Sequence, residues 1–341
     1  MSFSVGIIGL PNVGKSTLFK ALTKNPVAIS NYPFTTIDPN TGIVQVPDER
    51  LEKLAQILKP EKVTPTVIEF VDIAGLVKNA HQGEGLGNQF LARIREVNVV
   101  IHVVRDFEDE RVVHVEKTVD PTRDLEIIRT ELAMKDIETL EKHIEKLSKD
   151  IKGGDKKAVE EKEIAKKVRD ALNENRALDT IEGKEILAHL NLLSLKKAVT
   201  VYNTTAGNLP DATSFSSLYL NLKLEEELSE LSSEEQEELG EKPQLPRLIE
   251  TCYAALELIT FFTVKGGKEL RAWTLKKGGD VHRAAYKVHT DFGEKFIRAD
   301  VISHKIIFET GSWARAREQG RIRTEGKEYL VNDGDVIEFR I

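Results

Sequence analysis

Residues 9–16 read Gly9-Leu10-Pro11-Asn12-Val13-Gly14-Lys15-Ser16, a complete G-x-x-x-x-G-K-[ST] pattern between the apolar run Val5 to Ile8 and the helical pattern Thr17-Leu18-Phe19-Lys20-Ala21-Leu22. No other feature of the chain constrains its fold as strongly. A strand, a glycine loop and a helix N-terminus in that order make a phosphate cradle: glycines let the backbone wrap an anion, successive N–H groups turn inward, and the helix end adds positive potential. In such a cradle Lys15 reaches the β- and γ-phosphates and serves catalysis, and the Ser16 hydroxyl ligates Mg²⁺. Asn12, Val13, Gly14 and Thr17 complete the expected nucleotide-binding loop.

The surrounding pattern agrees with that demand. Phe3 to Ile8, Thr66 to Val71, Val99 to Val104 and Ala198 to Tyr202 are short, nearly continuous apolar runs separated by helical patterns, which predicts a parallel sheet covered on both faces. Between the third and fourth runs, Leu125, Ile128, Leu132, Ile137, Leu140, Ile144, Leu147 and Ile151 recur at helical spacing among Glu and Lys. Gly153-Gly154-Asp155 interrupts this seam, and Ile164, Val168 and Leu172 resume it. The pattern predicts an αα-hairpin, either an inserted coiled-coil arm or a solvated helical pair lying on the core. The expected organisation is a nucleotide-binding domain over 1–120 and 196–250, a helical insertion over 121–195 and a small β-rich domain over 256–341. Within the last, Asn332-Asp333-Gly334-Asp335 between Tyr329 to Val331 and Val336 to Phe339 predicts a hairpin.

A second phosphate-sensing element follows the strand Val67 to Val71. Asp72 of Asp72-Ile73-Ala74-Gly75 stands where a carboxylate holds Mg²⁺ through water, and Gly75 offers a backbone N–H towards the γ-phosphate. Between the two elements, Asn31-Tyr32-Pro33-Phe34-Thr35-Thr36-Ile37-Asp38-Pro39-Asn40 is rich in turn formers and hydroxyls, and a threonine there is a candidate switch ligand to Mg²⁺.

These segments resemble the Obg-like branch of the P-loop GTPases related to translation factors. More narrowly, Gly83-Glu84-Gly85-Leu86-Gly87-Asn88-Gln89-Phe90-Leu91 is similar to the YchF group, the Obg-like ATPases. Arg271-Ala272-Trp273-Thr274, His289-Thr290-Asp291-Phe292 and Glu325-Gly326-Lys327 resemble that group's TGS domain. The likeness extends over nearly the whole chain and is least specific in the helical arm. It implies a Ras-like P-loop domain with a helical insertion and a carboxy-terminal β-grasp domain. It also implies that Thr36, rather than Thr35, is the switch ligand to Mg²⁺.

Ras-type enzymes read guanine with N-K-x-D after the fourth strand. Here the position reads Asn203-Thr204-Thr205-Ala206, without the Lys or the Asp. Guanine would bury its N1–H and amino donors unpaired at about 1–3 kcal/mol per group, whereas an Asn amide can pair with the N6 and N7 edge of adenine. Asn203 and Thr204 are therefore the expected base-side residues and ATP the expected nucleotide. Ala206 also departs from the N-x-x-E of the resembling group. Leu76 occupies the place of the water-orienting Gln, so unaided hydrolysis should be slow. His114 is the candidate replacement, with His81 a weaker one.

The formal net charge is −7, from 49 basic and 56 acidic residues, which excludes a uniformly basic nucleic-acid-coating protein. The charge is uneven. Residues 221–250 hold three basic and ten acidic residues, while 261–341 hold 16 basic and 12 acidic. Arg315, Arg317, Arg321 and Arg323 cluster beside Trp313, a pattern suited to RNA phosphates and bases. Through the resemblance, the ribosome and its RNA are the expected partners, by way of the TGS domain and the arm; no motif reads DNA sequence. The single cysteine, Cys252, fits a reducing compartment. The amino terminus lacks a signal-peptide pattern and no apolar run approaches a membrane span, so a cytoplasmic location is expected. The leading expectation is a slow Mg²⁺-dependent ATPase whose nucleotide state sets a ribosome-associated conformation. A nucleotide-sensing binding module with incidental hydrolysis and a GTPase translation factor are the alternatives.

Overall fold

The computed structural model describes residues 3–24, 40–73, 86–152, 155, 157–205, 217–265 and 267–341. In chain order these form β1 (Ser4–Ile8), α1 (Lys15–Thr23), β2 (Thr41–Gln45), α2 (Glu49–Leu58), β3 (Lys62–Thr64), β4 (Val67–Asp72), α3 (Leu86–Glu96), β5 (Val99–Asp106), α4 (Pro121–Lys152) and α5 (Lys157–Asn173). Two 3-10 turns, Lys184–Leu190 and Leu193–Leu195, lead into β6 (Lys197–Thr204), β7 (Ser217–Leu220), α6 (Leu222–Leu228), α7 (Ser233–Leu239) and α8 (Leu245–Ala255). The chain then runs through β8 (Leu258–Lys265), β9 (Glu269–Lys276), α9 (Val281–Val288), α10 (Thr290–Glu294), β10 (Arg298–Ser303), α11 (His304–Thr310), α12 (Trp313–Glu318), β11 (Arg323–Glu325) and β12 (Asp335–Arg340).

The first sheet has the order β2-β4-β1-β5-β6-β7, with β2 antiparallel to β4 and the other pairs parallel. Its central strands are apolar on both faces because helices cover both: β5 is buried at every position but its last. β1 lies between β4 and β5, so strand order reverses beside it. The crevice at such a reversal, outside the carboxyl ends of the strands, is where open α/β sheets bind ligands.

The helical insertion is present, and its root is part of the main core. Ile128 and Leu132 of α4 pack there with Leu193. The buried Asp136 carboxylate accepts the backbone N–H groups of Leu193 and Ser194 at 2.9 and 2.7 Å, closing the neck of the arm. Beyond it, Leu140 packs with Ile164, Ala165, Val168, Leu187 and Leu192 in a separate cluster.

The second sheet, β11-β10-β12-β8-β9-β3, departs from the sequence expectation in two ways. Residues 49–64 belong to its packing, although they fall in the span assigned to the nucleotide-binding domain. β3 pairs in parallel with β9, and Leu51 and Leu54 of α2 sit in a core with Phe262, Leu270, Ile302 and Val336. Arg50 Nη1 bonds Asp333 at 2.7 Å and Thr64 Oγ1 bonds Glu269 at 2.9 Å, tying the two halves together. The expected hairpin at Asn332-Asp333-Gly334 is a turn without a hairpin. Both edges of β12 are taken, antiparallel by β10 and parallel by β8. Residues 329–331 therefore pair with 279–281, through Val281 N to Tyr329 O and Val331 N to Gly279 O.

Candidate nucleotide-binding site

The phosphate loop leaves β1 at Gly9 and enters α1 at Lys15. Two glycines are required by their surroundings. A Cβ on Gly9 would lie 2.4 Å from the Val103 carbonyl oxygen, and one on Gly14, whose φ is +105°, would lie 2.5 Å from Asn203 Nδ2. Lys15 is buried, its ammonium donating to the Gly9 and Leu10 carbonyls at 3.1 and 2.7 Å across its own loop. Burial lowers the Lys15 pKa to about 8, with partial opposition from the Asp72 carboxylate. The Ser16 hydroxyl lies 3.4 Å from Asp72 Oδ2, so the hydroxyl and carboxylate read as Mg²⁺ ligands share one spot at the loop. Both are hard oxygen donors, which suits that ion.

Asn203, at the end of β6, is buried and bridges two elements. Its Nδ2 donates to the Val13 carbonyl at 3.0 Å and its Oδ1 accepts the Leu222 N–H at 3.2 Å. It is therefore first a strut for the phosphate loop, with one amide hydrogen and one lone pair left for a base edge. Thr204 beside it is buried.

His114 is buried with both ring nitrogens engaged. Nδ1 accepts the Glu116 N–H at 3.1 Å, which leaves Nε2–H to donate to Asp124 Oδ2 at 2.8 Å. The segment carrying it is nonetheless fastened to the phosphate loop, because Asn12 Nδ2 donates to the Val113 carbonyl at 3.1 Å. Thr36, Gly75, Leu76, His81 and Ala206 lie outside the described residues.

Sequence inspection missed two residues that shape this site. Arg105, a lone cation at the end of an apolar strand and 2% exposed, donates to the carbonyls of Phe107, Asp109 and Val112 at 2.9, 3.2 and 2.8 Å. It thereby folds the 106–112 loop that delivers Val113 and His114. Asp124, in the first turn of α4, orients His114 and is held in turn by Arg123 at 2.8 Å. The only cue to Arg105 was its position in a strand that otherwise wants no charge.

In the carboxy-terminal domain, Trp313 packs against the core containing α2. Arg317 pairs with Glu338 and Asp300 at 3.4 and 3.7 Å, Arg321 with Glu309 at 2.8 Å, and Arg323 with Glu325 at 3.3 Å. The basic cluster read as suited to RNA is thus largely ion-paired, and its arginines remain exposed.

A phosphate loop between β1 and α1, an Asp at the end of β4 and a crevice beside the strand reversal define a P-loop nucleoside triphosphatase. A family model for 50S ribosome-binding GTPases matches residues 4–144, and a YchF GTPase carboxy-terminal model, described as a protein of unknown function, matches 258–341. The chain is 43% identical to the ribosome-binding ATPase YchF of Bacillus subtilis, covering 100% of this chain and 99% of that protein. Against the protein of the same name from Escherichia coli O157:H7 the identity is 45%, with 99% of each covered. The solved structure of the Schizosaccharomyces pombe YchF GTPase superposes with a TM-score of 0.85 at 35% identity, over 99% of this chain and 98% of that one. The chain belongs to the YchF family.

Proposed function

We propose that this protein is a Mg²⁺-dependent ATPase whose nucleotide state controls its association with the ribosome. The observation that carries the reading is the convergence of Lys15, Ser16 and Asp72 at a loop whose shape is fixed from below by Asn203. Asn12, Val13, Gly14, Lys15, Ser16 and Thr17 would hold the phosphates, with Gly75 reporting on the γ-phosphate. Ser16, Thr36 and, through water, Asp72 would hold Mg²⁺, which neutralises charge on the phosphate oxygens. Phosphate in the loop would draw the Lys15 ammonium from its carbonyl partners to a stronger, charged one. Asn203 and Thr204 would face the base.

Preference for ATP draws on the absent guanine-reading carboxylate and on the bacterial relatives, which are named ATPases; the fission-yeast relative is titled a GTPase. His114 would serve the attacking water as a base oriented by the Asp124 carboxylate, once the 114–116 turn releases Nδ1. The ribosome-associated role draws on the names of the relatives, and RNA contact on the exposed arginines of the carboxy-terminal domain. A cytoplasmic location accords with this, and no helix among the described residues is long and apolar enough to cross a membrane. The test is ATP turnover by the full chain with and without ribosomes. Wild type should be slow alone and faster with ribosomes, and His114→Ala should lose turnover while still binding ATP. A rate that ribosomes leave unchanged would favour the second reading, a nucleotide-sensing module, for which Leu76 and the engaged His114 ring speak.

A further inference from the structure

The outer arm carries a cluster that the nucleotide chemistry does not use. His143 of α4, Glu161 of α5 and His189 of the Lys184–Leu190 turn converge from three elements, offering one ligand atom each, all within 4.8 Å of one another. His143 Nε2 lies 2.7 Å, and His189 Nε2 3.4 Å, from the same Glu161 Oε1. The imidazole rings meet edge to face with centroids 5.2 Å apart. His143 and Glu161 are largely covered, whereas the His189 side chain is 54% exposed and leaves an entry side.

Two independent observations point to a cation. The first is the orientation of His189. Its Nδ1 sits 3.1 Å from the Ile186 carbonyl oxygen, which can only accept, so the hydrogen is on Nδ1. With that hydrogen in place, a neutral ring faces its Nε2 lone pair towards Glu161 Oε1 at 3.4 Å, a contact that a metal ion between the two relieves. A histidine whose far nitrogen donates to a carbonyl is the arrangement that orients imidazole towards metals. The second is spacing. Donors around a tetrahedral ion at 2.0–2.1 Å stand about 3.3 Å apart. The His189–Glu161 pair already has this separation at 3.4 Å, and His143–Glu161 at 2.7 Å needs to open by about 0.6 Å.

We propose that His143, Glu161 and His189 form a binding site for a divalent transition-metal ion, zinc foremost, that staples α4, α5 and the Lys184–Leu190 turn together. Two imidazoles and one carboxylate select against Mg²⁺ and Ca²⁺, which take oxygen sets, and leave a fourth position for water. The apolar cluster of Leu140, Ile164, Val168 and Leu187 holds the same elements without metal, so the ion would meet a preformed site.

The test titrates cobalt(II), which reports tetrahedral coordination by visible absorption, into the metal-free full chain and then displaces it with zinc. One equivalent with tetrahedral absorption, displaced by zinc, is expected, together with slowed hydrogen exchange at 184–190. His189→Gln, the exposed ligand and the one least able to disturb folding, should weaken binding at least tenfold, as should Glu161→Gln. Asp72→Asn should leave the tetrahedral signal intact, which separates it from ions at the phosphate loop. Equal binding by wild type and His189→Gln, or no bound equivalent, would overturn the proposal and leave the cluster a hydrogen-bonded contact of two imidazoles with Glu161.

Discussion

The phosphate loop and the basic face of the carboxy-terminal domain both present cations, by opposite means. At the loop a single ammonium is buried, its partners are carbonyls of its own loop, and its pKa is lowered to about 8. On the carboxy-terminal face, Arg317, Arg321 and Arg323 are exposed and each already has an acidic partner. Exposed pairs are worth about 0–1 kcal/mol, so a phosphate can take the place of the carboxylate at little cost. The buried arrangement gives one geometry and sharp consequences when altered. The exposed one gives a tolerant, salt-sensitive surface, and substitutions can test how far this contrast holds.

The largest effect falls on Lys15. Lys15→Ala should lower ATP turnover by at least about a hundredfold, the scale on which a preorganised donor to developing charge acts, as measured by phosphate release. Next comes His102 in β5, buried with both ring nitrogens unpartnered, its pKa lowered by burial to about 4 with Arg129 adding in the same direction. The unfolded chain takes up this proton below pH 6.5 while the folded chain refuses it down to about 4. Stability attributable to His102 is therefore complete above pH 6.5 and falls by about 3 kcal/mol as pH drops through that window. Urea unfolding at pH 7 and pH 4.5 should show this slope in wild type and a shallower one in His102→Leu.

Asn203→Ala leaves the Val13 carbonyl and the Leu222 N–H without their buried partner and should cost about 2 kcal/mol of stability. It should also weaken ATP binding, which calorimetry would register. Lys15 gives a milder titration effect. Phosphate needs the charged ammonium, so ATP affinity should be flat below pH 8 and fall by up to about tenfold per unit above it. A flat profile to pH 9.5 would place the ammonium in a more solvated setting than the fold implies. Smallest of all, Arg317→Ala should change stability by no more than about 0.5 kcal/mol while reducing the salt dependence of the RNA contact proposed for this face. A large loss of stability there would erase the contrast between the two faces.

What could be read from the sequence divides along the same line. The β1-loop-α1 unit, Asp72 at its strand end and the two helices of the arm were legible because each is a local pattern of strand, turn or helical period. The support of Val13 by Asn203, 190 positions away, was not, because a motif shows which residues meet a ligand and not which ones brace them. The enrolment of α2 and β3 in the second sheet was equally hidden: Lys62-Val63-Thr64 is too short to announce a strand, and its partner Glu269-Leu270-Arg271 is over 200 positions on. Arg105 and Asp124 were overlooked for a different reason: their partners lie only 2 to 10 positions away, but no motif marks a side chain that braces a loop. Those partners are backbone carbonyls and a histidine.

The measurement closest to the central claim is competition of ATP and GTP for the full chain in the presence of Mg²⁺, read by displacement of a fluorescent ADP analogue. The site described here predicts that ATP displaces it at clearly lower concentration than GTP, and that both lose affinity in Lys15→Ala. Equal displacement by the two nucleotides, or tighter binding of GTP, would contradict an adenine-selective ATPase.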